Sequence, residues 1–190
     1  MIKRRGLTQE VVVRRAVEMA NAARNPEAVT LTELAASLDI QPPSLYNHIA
    51  GLDGLRREMR LYALTRLSRA LRQAAAGETG RKALVYLAHA YRRFAQENPG
   101  IYPLILPAVP TEDAAATEAS EEILTTIVLI LASLGLEGED AWHAVRGLRS
   151  LLHGFVSLEM AGGFEMPLEV DKSFQRMVTA YINGIAGSAT

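Results

Sequence analysis

Apolar positions recur at three- and four-residue spacing along most of the chain, and no useful stretch alternates with a period of two, so the pattern predicts an all-α protein. The first stripe is Val13, Ala16, Val17, Ala20 and Ala23; Thr8 is placed to cap that helix, Glu10 lies in its first turn, and Pro26 follows its end. Leu34, Ala35 and Leu38 mark a short second helix that Thr30 or Thr32 can cap. Asp39 and Ile40 break it, and Pro42 and Pro43 open a third short helix carrying Ser44 to His48. Asp53 is placed to cap a long fourth helix from Gly54 to about Ala75, with Leu55, Met59, Tyr62, Leu67 and Leu71 on its apolar side.

The two glycines in Ala76 to Gly80 mark a boundary. The expected organisation is a helical head over 1–54, a coupling helix over 55–76 and a helical body over 77–190. In the body, Leu84, Leu87, Ala88, Tyr91 and Ala95 stripe a helix that ends before Pro99-Gly100. Ile101 to Val109, bracketed by Pro103, Pro107 and Pro110, predicts a short bent helix. Thr111 can cap the next helix, which includes the uncharged run Ile123 to Leu136; this run is short for a membrane span and is expected to be deeply buried. Asp140 can cap a helix to about Ala161, and a last helix covers about Leu168 to Ile185.

The helix from Ala141 to Met160 is apolar on two sides: Trp142, Val145, Leu152, Val156 and Met160 form one stripe, and Leu148, Leu151, Phe155 and Leu158 the other. Gly147 and Gly154 share a face where another backbone can come close. Two stripes call for two partners. The second is either the chain's own body or the same helix of a second subunit.

Charge changes the picture more than composition does. The net charge is −1, yet residues 1–72 carry twelve Lys or Arg against seven Asp or Glu, a balance of +5, and the remainder carries −6. A basic head on an acidic body suits a partner with phosphates. Lys3, Arg4 and Arg5 form a basic arm able to neutralise phosphates without reading sequence. The chain has no Cys, which rules out a disulfide framework and thiolate metal sites and suits the cytoplasm. No apolar stretch follows the basic start, so neither a secretory signal nor membrane attachment is expected.

Two short helices around a tight turn, with small polar and aromatic groups on the second, read as a helix-turn-helix. Leu34, Leu38, Ile40, Leu45 and Ile49 form its apolar set. Thr32, Gln41, Pro43, Ser44, Tyr46, Asn47 and His48 are left as candidates to face DNA: Asn and Gln pair with adenine, Ser with base or phosphate, Tyr and His with phosphate.

The stretch LTELAASLDIQPPSLYNHIAGLDGLRREM resembles the TetR family of bacterial transcriptional regulators, through Leu31-Thr32, Leu34-Ala35, Leu38, Pro43-Ser44-Leu45-Tyr46 and His48. Downstream, Trp142, His153-Gly154-Phe155, Gly162-Gly163-Phe164 and YRRFAQENPGIYPLI are similar to the Trp-His-Gly (WHG) type of C-terminal domain in that family. The resemblance implies a cytoplasmic homodimer that represses by occupying a double-stranded DNA operator and is released by a small-molecule effector, with no cofactor. It also implies that the last two helices pair between subunits, which points to Gly147, Leu151, Gly154, Leu158, Phe174, Val178 and Tyr181. Tyr91, Phe94, Tyr102, Trp142, His153 and Phe155 are candidates to line an apolar effector pocket, although each also suits an ordinary core.

Four positions depart from the family pattern. Asp39 stands where the turn commonly has Gly, and Asp tolerates left-handed geometry better than most residues. Leu52 stands where many members carry a phosphate-binding Lys, leaving Arg56 or Arg57 to compensate. Thr32 and Glu33 stand where some members place a basic base reader, which shifts discrimination onto Gln41, Ser44 and Asn47.

Other functions fit less well. An enzyme would have to use His89, His143 and His153 with Glu97 or Glu159, and no di-iron Glu-x-x-His pair or Ser-His-Asp signature is present. A metal-sensing regulator is the main alternative. A protein-interaction module leaves the basic head unexplained.

Overall fold

Thr8 starts the first helix as expected, its hydroxyl oxygen accepting from the Val11 amide at 3.3 Å. In the computed structural model, which describes residues 6–187, α1 runs Gln9–Ala23 and buries Val12, Val13, Ala16, Val17 and Ala20; Ala23 is exposed. Arg24 takes a left-handed conformation (φ 53°) and sends its amide back to Ala20 and Asn21, closing the helix end. A 3₁₀ turn, Pro26–Ala28, leads to α2, Leu31–Ser37. Thr30 caps α2: its hydroxyl accepts from the Glu33 amide at 3.2 Å and donates to the Glu33 carboxylate at 2.8 Å.

Asp39 sits at φ 54°. It supplies the left-handed step that the turn requires, and the Ile40 amide closes onto the Ala35 carbonyl at 3.1 Å. The third short helix departs from expectation, because Pro42–Asn47 winds as a 3₁₀ helix. Two consecutive prolines contribute no N–H donors at its start, and the Ser44 amide bonds the Gln41 carbonyl three residues back at 2.9 Å. The long helix, α3, runs Gly51–Ala75 and begins three residues before the expected start. Gly51 (φ 71°) makes the entry, the Gly54 amide already bonds the Ala50 carbonyl, and Asp53 lies within the first turn instead of capping it.

The remaining helices are α4 (Gly80–Glu97), α5 (Ala114–Ala132), α6 (Gly138–Met160) and α7 (Val170–Gly187), with a 3₁₀ turn at Tyr102–Ile105. The described residues are helices, turns and loops with no strand. Asp113, not Thr111, caps α5 by accepting from the Ala116 amide at 3.3 Å. Glu137 precedes α6 without a side-chain cap, and Asp140 sits in the first turn.

The chain divides into two compact units. One takes the chain up to Thr65 together with Asn98–Thr117, and the other takes Arg66–Glu97 and the chain from Glu118 onward.

The first unit is centred on Val12, Ala16, Ala20, Leu34, Ala35, Leu45, Leu55 and Met59, all buried. Its later segment is fastened by specific contacts. The Gly100 amide donates to Asn21 Oδ1 at 2.9 Å. A Cβ at Gly100 would lie 2.0 Å from the Ala20 carbonyl oxygen and 2.4 Å from the Asn21 nitrogen, so only glycine allows this approach. Arg60 Nε donates to the Leu104 carbonyl at 3.2 Å, and Arg57 Nη2 donates to Asp113 Oδ1 at 2.6 Å.

The second unit packs apolar stripes of α4 (Leu84, Leu87, Tyr91, Phe94), α6 (Val145, Leu148, Leu152, Phe155, Val156) and α7 (Phe174, Val178, Ile182). Of the two apolar stripes expected on α6, Val145, Leu148, Leu152, Phe155 and Val156 are buried, whereas Trp142 and Leu158 are 54% and 53% exposed. The run in α5 is only partly buried: Ile127, Ile130 and Leu131 face inward, whereas Leu129 is 67% exposed. An uncharged run longer than a helical turn must present some apolar residue on every side. Within this unit the buried guanidinium of Arg92 is ion-paired. Arg92 Nε and Nη2 donate to the two oxygens of Glu159 at 2.8 and 2.5 Å, and Nη2 also reaches Asp171 Oδ1 at 2.7 Å. The guanidinium stacks near Phe155 and Phe174, 5.6 and 4.8 Å from their centroids. Hydrogen bonding to Glu159 raises the Arg92 pKa despite burial, so this cation is permanent.

Candidate nucleic-acid interface

The 3₁₀ helix presents a polar surface because its one fully buried side chain, Leu45, pins it to the head from below. Gln41, Pro43, Tyr46 and Asn47 are exposed, and Ser44 and His48 are half-buried. Tyr46, 62% exposed, is a large aromatic group set out in solvent. Thr32 is exposed on the first turn of α2.

Two open grooves lie along this surface. One, of about 410 Å³, is lined by Thr32, Ala36, Asp39, Ile40, Gln41 and Pro42, and it brings the first helix of the pair and the start of the second to one site. The other, of about 320 Å³, includes Gln9, Tyr46, His48, Gly54 and Arg57. Thr32 and Gln41 therefore share one groove, and Tyr46 and His48 share the other. Lys3, Arg4 and Arg5 lie outside the described residues.

The two arginines expected to replace the missing lysine at Leu52 are both engaged within the head. Arg56 pairs with Glu27, and Arg57 pairs with Asp113 and Glu58. Glu33 is held by Thr30, which leaves Thr32 as the free polar group of that turn. Gln9, Asn21, Gly100 and Asp113 were not singled out as head residues from sequence. The glycine next to Pro99 was the one available signal, and it read only as a helix stop.

Tyr102 is buried in the first unit, whereas Tyr91, Phe94 and Phe155 are buried in the second. Trp142 points outward, and His153 is half-buried beside the Ser157 hydroxyl at 3.3 Å. Burial, and then the charge of Arg149, hold the His153 imidazole below its ordinary pKa. Phe155 instead packs on Phe164 and Phe174, with centroids at 4.7 and 5.0 Å, and Phe174 meets His89 edge-on at 5.2 Å. Arg92, Glu159 and Asp171 complete this cluster. A charge one turn beyond Ala88, on the apolar side of α4, was the sequence signal for it.

The residues chosen for subunit pairing also separate. Phe174 and Val178 are fully buried in the chain's own core and have no surface to offer a partner. Gly147 is covered by Tyr181, whose hydroxyl donates to the Ala144 carbonyl at 2.8 Å and would lie 2.2 Å from a Cβ at position 147. Burial raises the Tyr181 phenol pKa, which keeps it a donor. Gly154 and Leu158 remain exposed and Leu151 half-exposed, one helical stripe left uncovered among the described residues.

An all-helical chain with a helix-turn-helix head and a separate helical body has the architecture of a DNA-binding transcriptional regulator. Residues 84–181 match the family model described as tetracyclin repressor-like, C-terminal domain. The chain is 37% identical over 97% of its length, and 96% of the relative's, to the uncharacterized HTH-type transcriptional regulator YobS of Bacillus subtilis strain 168. A protein of unknown function from Rhodococcus sp. RHA1 superposes with a TM-score of 0.81 at 21% identity, over 98% of this chain and 99% of the other. TetR-Q116A from Acinetobacter baumannii AYE, solved in complex with minocycline, superposes with a TM-score of 0.69 at 20% identity over 97% and 99%. The chain belongs to the TetR family of transcriptional regulators. Among the described residues, no helix is long and apolar enough to cross a membrane, and no three His, Asp or Glu side chains are grouped to hold a metal ion.

Proposed function

We propose that the protein is a homodimeric repressor that reads its operator with the 3₁₀ helix and leaves it when a small organic molecule enters the body. The carrying observation is the placement of exposed Gln41, Pro43, Tyr46 and Asn47 directly above buried Leu45. Anchored side chains of these types give adenine and phosphate contacts a fixed register. The exposed stripe of Leu151, Gly154 and Leu158 supports pairing with a second copy, which would present two heads to two half-sites. Minocycline in the Acinetobacter protein supports an organic effector as the class. An effector changes operator affinity only through a difference in its affinity for the two head arrangements.

The test is selection of duplexes from a random pool, followed by shift assays at fixed salt. Asn47→Ala is expected to weaken the selected site by about tenfold or more, the loss of one bidentate base contact. Sedimentation checks the dimer, which Leu158→Glu is expected to dissociate. Unchanged affinity for the Asn47 variant would remove the reading helix from the proposal, and a monomeric wild-type chain would remove the dimer.

A further inference from the structure

In the second groove of the head, Arg57 lies along the same wall as Tyr46 and His48. Its guanidinium is not loose. Nη2 donates to Asp113 at 2.6 Å and Nη1 to Glu58 at 2.7 Å. The partners differ in kind: the Asp113 side chain is 6% exposed, while that of Arg57 is 46% exposed. Asp113 also accepts the Ala116 amide and so caps α5.

This asymmetry fixes the arginine. Burial alone would push the Asp113 carboxyl upward, but the hydrogen bonds from Arg57 and the Ala116 amide and the nearby positive charge hold it below its ordinary value. Withdrawing Arg57 would strip the buried Asp113 carboxylate of its hydrogen-bonded cation and leave it only the Ala116 amide and the charge of Arg60, a heavier cost than one solvent-exposed phosphate contact returns. Arg57 therefore stays where Asp113 holds it. A guanidinium has five N–H donors in a planar fork, and two neighbours at these positions leave others directed elsewhere.

We infer that Arg57 is a DNA-phosphate contact of the head and that Asp113 is its positioning residue. This rests on the head binding duplex DNA as proposed above. It restores, from a different helix position, the backbone charge absent at Leu52. It also links phosphate binding to Asn98–Thr117, the segment that closes the head and leads into α5. A shift of the first turn of α5 would move Asp113 and take the Arg57 fork out of register.

The experiment measures binding of the full-length protein to a random-sequence 30-base-pair duplex across a salt series. Each phosphate contact contributes about 0.9 to the slope of log affinity against log salt. Arg57→Gln is expected to make the slope shallower by about that amount per protomer. Asp113→Asn retains an oxygen to cap α5 and removes a negative charge. Simple electrostatics predicts tighter binding for it, whereas a positioning role predicts weaker binding and a shallower slope. The Arg57→Gln/Asp113→Asn double variant is expected to bind like Arg57→Gln alone, and it contains no unpaired buried charge if a single variant fails to fold. An unchanged slope in Arg57→Gln or in the double variant, with wild-type binding intact, overturns the inference. Tighter binding by Asp113→Asn overturns the positioning role. Absence of duplex binding by the wild-type chain would instead defeat the proposed function on which it rests.

Discussion

The two units are held together in different ways. The head adds fixed polar devices to its apolar centre: the Thr30–Glu33 cap, the left-handed Asp39, the Gly100–Asn21 approach and the Arg57–Asp113 pair. The body relies on three apolar stripes around one buried guanidinium. Caps and close backbone contacts fix the register of the exposed polar side chains above the head's apolar centre.

The largest expected effect tests the buried guanidinium of the body. Arg92→Leu should destabilise the second unit by about 3 kcal/mol by stranding the Glu159 carboxylate. Chemical denaturation, with hydrogen exchange in α4 and α7, measures it. A loss no larger than that of a surface substitution would mean that the stripes alone hold the unit. Next comes Gly100→Ala, which forces a methyl into the α1 backbone. It should cost about 1–3 kcal/mol and increase amide exchange at the end of α1; a silent substitution would show that the approach is not a constraint. Thr30→Ala should cost about 1 kcal/mol, seen as faster exchange across α2, with Thr30→Asn restoring protection.

The smallest effect is on pH. Partial burial of its ring and the charge of Arg92 hold the His89 pKa below its ordinary value, with Asp171 opposing. The stability contribution of neutral His89 is present above the unfolded value of about 6.5 and is lost as pH falls through the lower folded value. His153 titrates in the same direction. Melting temperature should therefore fall on acidification below neutrality, and the His89→Gln/His153→Gln double variant should flatten that slope. A slope unchanged in the double variant would assign the acid sensitivity elsewhere.

Helix periodicity located every long helix, because one buried stripe is enough to show in spacing. It could not show whether a second stripe finds a partner inside the chain. Phe174 and Val178 look like any exposed seam until α4 and α6 are seen to cover them. Leu129 looks buried within an uncharged run, yet its helix has an outward side. Tyr46 and Asn47 were legible as surface groups because Leu45 and Ile49 flank them as buried anchors. Asp113 and Gly100 were not, since their partners lie 56 and 79 residues away in the chain and no local pattern records such a pairing.

The return of Asn98–Thr117 to the head also bears on synthesis and on modular exchange. A ribosome delivers α1 and the 3₁₀ helix Pro42–Asn47 early, but Asn21 meets Gly100, and Arg57 meets Asp113, only after α4 has been made. The nascent head thus waits, incomplete, while part of the body is translated. A chimera that grafts this head onto another body by a single cut in α3 would leave its closing strap behind, so the transferable piece is discontinuous.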